Sequence, residues 1–157
     1  MIVFSNTTPI IALSSINCLH LLPKLFGEIH LVTEVIDECS VGGSIFVPKL
    51  LEIEWIKPVQ SSPIQHSSVL LELDKGEKHT LDMASKFQAD WVIIDEKIGR
   101  NMAEYLGLHV TGTLGILLKA KQQSLIPSFV DSVKAMQNQG IYFQEALIQK
   151  LAQTVAK

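Results

Sequence analysis

Trp91-Val92-Ile93-Ile94-Asp95-Glu96 is the stretch of this sequence that decides its fold class. Four consecutive large apolar residues indicate a strand that is buried on both faces, as the strands of parallel sheets are. Weaker strand signals lie at residues 2–5, 29–32, 53–56 and 108–111. Helical patterns separate these strands, and the alternation predicts an α/β fold built from βα units around a central, mostly parallel sheet.

Turn and capping residues bound the predicted helices. Pro9 suits the first turn of a helix, Thr33 can cap another, and Gly107 is a typical C-terminal stop. After the helix that begins at about Pro9, helices are predicted at residues 19–26, 34–41, 63–73, 77–87, 97–105, 114–123, 127–137 and 145–155. A further strand at residues 141–143 is left open. We expect one domain over residues 1–157, with a core at about 1–125 and an appended helical segment at about 126–157.

Composition narrows the class of protein. Apolar residues make up 47% of the 157 residues, enough for a core. No apolar run approaches the roughly 20 residues of a spanning helix, so we expect a cytoplasmic protein with no membrane partner. The apolar surplus favours a homodimer. The net charge of −3 argues against non-specific duplex DNA binding, but a carboxylate-lined metal site is itself acidic and a nuclease is not excluded.

Polar residues follow the predicted strands where each strand ends. Asp95 comes directly after the clearest strand, Asn6 follows the first, and residues 111–113 (Thr-Gly-Thr) follow the strand at 108–110. Because ligands collect outside the carboxyl ends of parallel strands, these positions are expected to lie along one edge of the sheet. Asp95 has an ordinary alternative role as a cap for the next helix.

Two helical glutamates are candidates to join them. Glu77 opens a helix whose apolar stripe includes Leu81 and Ala84, so its carboxylate shares the inward face. It can equally do no more than favour the positive N-terminus of that helix. Glu38 shares a face with Val35, and its ordinary alternative is a solvated helix position. Three converging carboxylates repel one another unless a cation neutralises them, and Mg²⁺ or Mn²⁺ suits such hard oxygen ligands.

Five short motifs, in order and with similar spacing, resemble the PIN-domain family, in particular a bacterial branch related to VapC-type toxins. They are residues 2–13 (IVFSNTTPIIAL), 35–38 (VIDE), 76–77 (GE), 93–96 (IIDE) and 110–115 (VTGTLG), and they cover about residues 1–125. The resemblance implies a three-layer α/β/α sandwich with a central parallel sheet, often dimeric. It also implies endoribonuclease activity on RNA, commonly as the toxin of a toxin–antitoxin pair, with Mg²⁺ or Mn²⁺ as the cofactor.

The resemblance also implies roles for particular residues. Glu38 matches the family's helix glutamate, Glu77 the acid that opens the later helix, and Asp95 the acid after the following strand. These three are the candidate catalytic residues and metal ligands. Glu96 is a possible fourth acidic ligand, and Thr113 matches a polar residue that holds a water or orients phosphate.

Asn6 departs from the family pattern, which has aspartate at this metal-ligand position. Its amide oxygen is neutral and therefore a poorer ligand for a hard dication. Two functions remain open: a divalent-metal endoribonuclease, and a catalytically impaired module that binds protein or RNA. A phospho-accepting domain that uses Asp95 is weaker, because the first strand is followed by no acidic pair.

Arg100 and Lys97 lie one turn apart on the helix that follows Asp95. Arginine can bind phosphate through two parallel hydrogen bonds, so the two cations are candidates for orienting an RNA backbone. Their ordinary alternative is a solvated helix face.

Overall fold

Five strands and eight helices make up the described part of the chain. The computed structural model describes residues 1–65, Leu70 and residues 72–155. The strands are β1 Val3–Ser5, β2 Ile29–Val32, β3 Ile56–Val59, β4 Trp91–Ile93 and β5 His109–Thr111. The helices are α1 Thr7–Ser15, α2 Leu21–Phe26, α3 Thr33–Ser40, α4 Lys75–Lys86, α5 Lys97–Tyr105, α6 Thr113–Gln122, α7 Phe129–Asn138 and α8 Glu145–Ala152, with a single 3-10 turn at Leu50–Glu52.

All five strands are parallel and form one sheet in the order β3-β2-β1-β4-β5. The central strand β1 pairs with β4 from Val3 opposite Trp91 to Ser5 opposite Ile93. Because crossovers between parallel strands are right-handed, the helices after β1 and β2 cover one face and those after β3 and β4 cover the other. This arrangement confirms the predicted α/β/α sandwich around a parallel sheet.

The third strand differs from its prediction. It was expected at residues 53–56, ending before Pro58, but it runs from Ile56 to Val59 and contains that proline. A proline removes one backbone donor, which is tolerable here because β3 lies at the edge of the sheet and pairs only with β2. The predicted and observed ranges share only Ile56, because a proline indicates a strand boundary whereas Pro58 lies inside this strand.

One alternative that the sequence left open and one predicted helix do not hold. Residues 141–143 form no strand and are irregular. The helix expected at residues 63–73 is absent from the described part of that stretch, which is residues 63–65, 70, 72 and 73; residues 66–69 and 71 lie outside the described residues. By contrast, β2 and α5 have the predicted bounds.

The last two helices pack against the rest of the molecule. Phe129, Val133 and Met136 of α7 are fully buried and belong to the same apolar cluster as the sheet residues. Ile148 and Ala152 of α8 are also buried in that cluster. Within the described residues, no helix is both long enough and apolar enough to cross a membrane.

Candidate functional site

The carboxyl ends of β1, β4 and β5 bring several predicted site residues to one edge of the sheet. The backbone N–H of Asn6 donates to the carbonyl of Ile93, at 2.9 Å, one step beyond the last paired residues of β1 and β4. The N–H of Ile94 donates to the carbonyl of Thr111, also at 2.9 Å. The first residues after the three strands therefore lie side by side, as the parallel topology predicts.

Asn6 is buried, and its side-chain oxygen has no hydrogen-bond partner among the described residues. It precedes α1 with an extended backbone, the position at which an asparagine side chain normally caps a helix, yet it makes no such cap. The residue is 5% exposed, and its Oδ1 is buried with no hydrogen-bond partner among the described residues. A buried oxygen without a partner costs free energy, so its orientation suggests a ligand that is not part of the chain.

Glu38 lies between α1 and α4. The Thr7 hydroxyl donates to its Oε2 at 2.8 Å, which fixes the carboxylate beside the start of α1. Its other side faces Gly76, where a Cβ would overlap Oε1 and would stand only 2.9 Å from Cδ. Gly76 is thus the residue that lets Glu38 approach the backbone directly before Glu77.

Among the described residues, only one of the two carboxylate oxygens of Glu77 has a hydrogen-bond partner. Asp74 and Glu77 form a capping box: the Glu77 N–H donates to Asp74 Oδ1 at 2.9 Å, and the Asp74 N–H donates to Glu77 Oε1 at 3.4 Å. Glu77 Oε2 is buried without a partner among the described residues. Burial raises the Glu77 pKa to about 8, and the hydrogen bond and charge of Asp74 and the charge of Glu96 add to this.

The two acids after β4 have different partners. Glu96 caps α5 by accepting from the Gly99 N–H at 2.7 Å, the capping role considered for Asp95. Asp95 instead accepts two hydrogen bonds from Thr113 at the start of α6, from N–H at 2.7 Å and from the hydroxyl at 2.5 Å. Thr113 is fully buried. Thr113 therefore holds the Asp95 carboxylate in place, a contact that the sequence did not predict.

Arg100 and Lys97 lie on a groove of about 580 Å³ next to Asp95. A Cβ on Gly112 would stand 2.7 Å from Asp95 Oδ1 and 3.0 Å from Arg100 Nη1, so both groups border the same glycine. No acidic side chain of the described residues lies within ion-pairing distance of either cation. A larger cavity of about 720 Å³, lined by residues 36 and 39–52, contains none of the predicted site residues.

The predicted residues thus form two neighbouring groups at one edge. Glu38 is bonded to Thr7, directly after Asn6, and lies against Gly76, directly before Glu77. Asp95 is bonded to Thr113 and borders Gly112 together with Arg100. No three His, Cys, Asp or Glu side chains within residues 1–65, 70 and 72–155 are arranged to hold one metal ion. The donors that fit a hard dication are two acids and an amide, with unpartnered oxygens on Asn6 and Glu77. Such a set suits Mg²⁺ or Mn²⁺, which retain several waters.

For three residues of the site, the sequence predicted no role in it. Thr7 holds Glu38, Asp74 completes the capping box of Glu77, and Gly76 makes room for Glu38. The spacing of Asp74 and Glu77 is a capping-box signature and could have been recognised. The hydrogen bond from Thr7 to Glu38 spans 31 residues, and nothing in the local sequence indicates it.

Comparison with known proteins gives a family. No curated protein and no solved structure matches this chain. One family model, described as a PIN domain, matches residues 2–157. It spans all five strands of the sheet, both groups of site residues and the C-terminal helices. The chain therefore belongs to the PIN-domain family, whose fold is of the nuclease type.

Proposed function

We propose that this protein is an endoribonuclease that depends on Mg²⁺ or Mn²⁺ and cleaves RNA at the edge formed by β1 and β4. The observation that carries the proposal is that Asn6 Oδ1 and Glu77 Oε2 are buried and have no hydrogen-bond partner among the described residues, at an edge that also holds Glu38. Such oxygens are expected where a cation binds, because otherwise their burial is uncompensated.

In this proposal, different residues of the chain bind the metal ion and the phosphate. Asn6, Glu38 and Glu77 would hold the ion, which when bound supplies a water of lowered pKa and stabilises charge on the phosphoryl oxygens. Without a cation, a Glu77 pKa of about 8 leaves the carboxyl mostly protonated at neutral pH. The Arg100 guanidinium can bind a phosphate through two hydrogen bonds. Asp95 is held by Thr113 and lies next to Arg100. In this proposal it would orient water or substrate beside that phosphate.

Biological context follows from the resemblance to VapC-type toxins. We propose that the protein acts in the cytoplasm as the toxin of a toxin–antitoxin pair and that it forms a homodimer. Exposed apolar side chains support an association, since Val41, Phe46 and Leu51 are each more than 65% exposed and line one cavity. Light scattering on the purified protein should give twice the chain mass of 17.4 kDa. A monomer at all concentrations would contradict the dimer.

A second function is favoured by one specific observation. Asn6 stands at a position where the resemblance calls for an acid, and no three His, Cys, Asp or Glu side chains of the described residues are arranged to hold one ion. Under this alternative the fold binds RNA or protein without cleaving it. Cleavage and binding assays on the same protein separate the two functions.

The test is cleavage of a mixed pool of single-stranded and structured RNA with added Mg²⁺ or Mn²⁺. Wild-type protein should cleave, and chelator should stop it. Glu38→Gln, Glu77→Gln and Asp95→Asn should each lower the rate by about 100-fold or more, because each removes a charge from the site. Glu104→Gln, at an exposed position on α5, is the matched control. RNA binding by a wild-type protein that cleaves no RNA with either metal would overturn the nuclease proposal.

A further inference from the structure

Tyr142 has an unusual position for a large aromatic residue. It lies between α7 and α8 and is 84% exposed, while its neighbours Ile141 and Phe143 pack against the core. The Ile141 N–H donates to the carbonyl of Met136 at 3.1 Å, which ties this irregular segment to the end of α7. The Tyr142 ring is therefore exposed to solvent, while the residues before and after it pack against the core.

Tyr142 also shares a groove with the residues next to the proposed cleavage site. The residues that line the groove of about 580 Å³ include Asp95, Lys97, Arg100 and residues 141–144. Its volume falls in the range of small-ligand pockets, roughly 300–1000 Å³. One groove therefore offers an exposed aromatic ring and two cations, neither of which forms an ion pair with an acidic side chain of the described residues, although the Asp95 carboxylate borders Gly112 beside Arg100.

This combination of groups matches the chemistry of a single nucleotide. A phosphate is bound by arginine and lysine, and a base stacks on an aromatic face. The chain as a whole carries a net charge of −3, so non-specific attraction to phosphates is weak and the local cations matter more. A base inside a duplex is already stacked on both faces and cannot use the tyrosine.

We infer that this groove is a subsite for one unpaired nucleotide of a single-stranded RNA, with its phosphate on Arg100 and Lys97 and its base on Tyr142. The inference rests on the proposed function, because it places this nucleotide next to the phosphate that is cleaved. It adds a specificity residue, Tyr142, which is far in sequence from the proposed metal ligands and would contact the base.

Binding is measured by fluorescence anisotropy with chelator present, so that no cleavage occurs. The probes are a short labelled single-stranded RNA, the same strand annealed to its complement, and the same strand with abasic residues. Tyr142→Ala should weaken binding to the single strand by roughly 5- to 100-fold, the range expected for the loss of one base stack. Tyr142→Phe should bind like the wild type. Tyr105→Ala is the matched control, since Tyr105 is 73% exposed and does not line the groove.

The other probes separate stacking from a general loss of structure. On the abasic strand, wild type and Tyr142→Ala should bind equally weakly, whereas Arg100→Gln should weaken binding to both the normal and the abasic strand. The inference is overturned if Tyr142→Ala leaves binding to the normal strand unchanged, if it weakens binding to both strands equally, if the duplex binds as tightly as the single strand, or if the wild type binds none of the probes. These outcomes do not depend on cleavage, so a protein that shows the Tyr142 effect but never cleaves refutes the nuclease proposal alone.

Discussion

At the scale of single residues, Glu77 combines a structural and a functional role in one carboxyl group. Its Oε1 completes the capping box of α4, which explains the ordinary preference for an acid at this position. Its Oε2 makes no bond among the described residues and is buried. The two interpretations of this residue that the sequence left open are therefore compatible, because each concerns a different oxygen.

The raised pKa of Glu77 predicts how stability depends on pH. The folded state binds a proton at Glu77 up to a pKa of about 8, whereas the unfolded carboxyl loses it near its ordinary 4.5. The free energy of unfolding, measured with chelator, should therefore fall as pH rises from about 4.5 to about 8. Glu77→Gln should remove this contribution, so that its stability relative to wild type increases across that range. Glu104→Gln should keep the wild-type slope; a wild-type slope in Glu77→Gln would contradict the prediction.

Because Asn6 is neutral, adding one negative charge at this position is predicted to strengthen metal binding. Asn6→Asp should tighten Mn²⁺ binding by roughly tenfold, the effect of about 1.4 kcal/mol of added attraction. With chelator present, the same variant should melt at a lower temperature than wild type, because the new carboxylate at this buried position then has no compensating charge. Calorimetric titration and thermal melts measure the two effects. Mn²⁺ affinity equal to that of wild type would show that Asn6 does not contact the ion.

At the scale of secondary-structure elements, Gly76 at the start of α4 leaves room for the Glu38 carboxylate because it has no side chain. Gly76→Ala should displace the Glu38 carboxylate, since the new Cβ would overlap Oε1. The stability of α4 should not decrease, because alanine is favoured over glycine in helices by about 1 kcal/mol. We therefore expect an unchanged or higher melting temperature together with weaker Mn²⁺ binding and slower RNA cleavage.

Gly43→Ala is the matched control for that variant, because a Cβ at Gly43 would meet no atom within 4 Å. It should leave melting temperature, metal affinity and cleavage close to wild type. If Gly76→Ala behaves like this control in all three measurements, Glu38 can move without consequence and is not a ligand.

At the scale of the whole molecule, α7 tests whether residues 126–157 are an appendage. Phe129 is fully buried and shares the apolar cluster of the sheet. Phe129→Ala should therefore lower the free energy of unfolding by about 3–5 kcal/mol and shift a single cooperative transition. Tyr105→Ala, which removes an exposed ring, should change stability little. Denaturant melts that resolve two transitions, with only one shifted by Phe129→Ala, would show that the C-terminal helices fold separately.

The sequence by itself determined the fold class and most elements, because the alternation of apolar strands and amphipathic helices is a local pattern that reports burial directly. It also placed Asn6 and Asp95 at strand ends, since parallel strands end at one edge. Only the tertiary structure decided which buried oxygens have no hydrogen-bond partner among the described residues. Thr113 binds Asp95 across 18 residues, Thr7 binds Glu38 across 31, and Tyr142 faces a groove shared with Arg100. Such pairings depend on how distant elements pack, and no local periodicity records them.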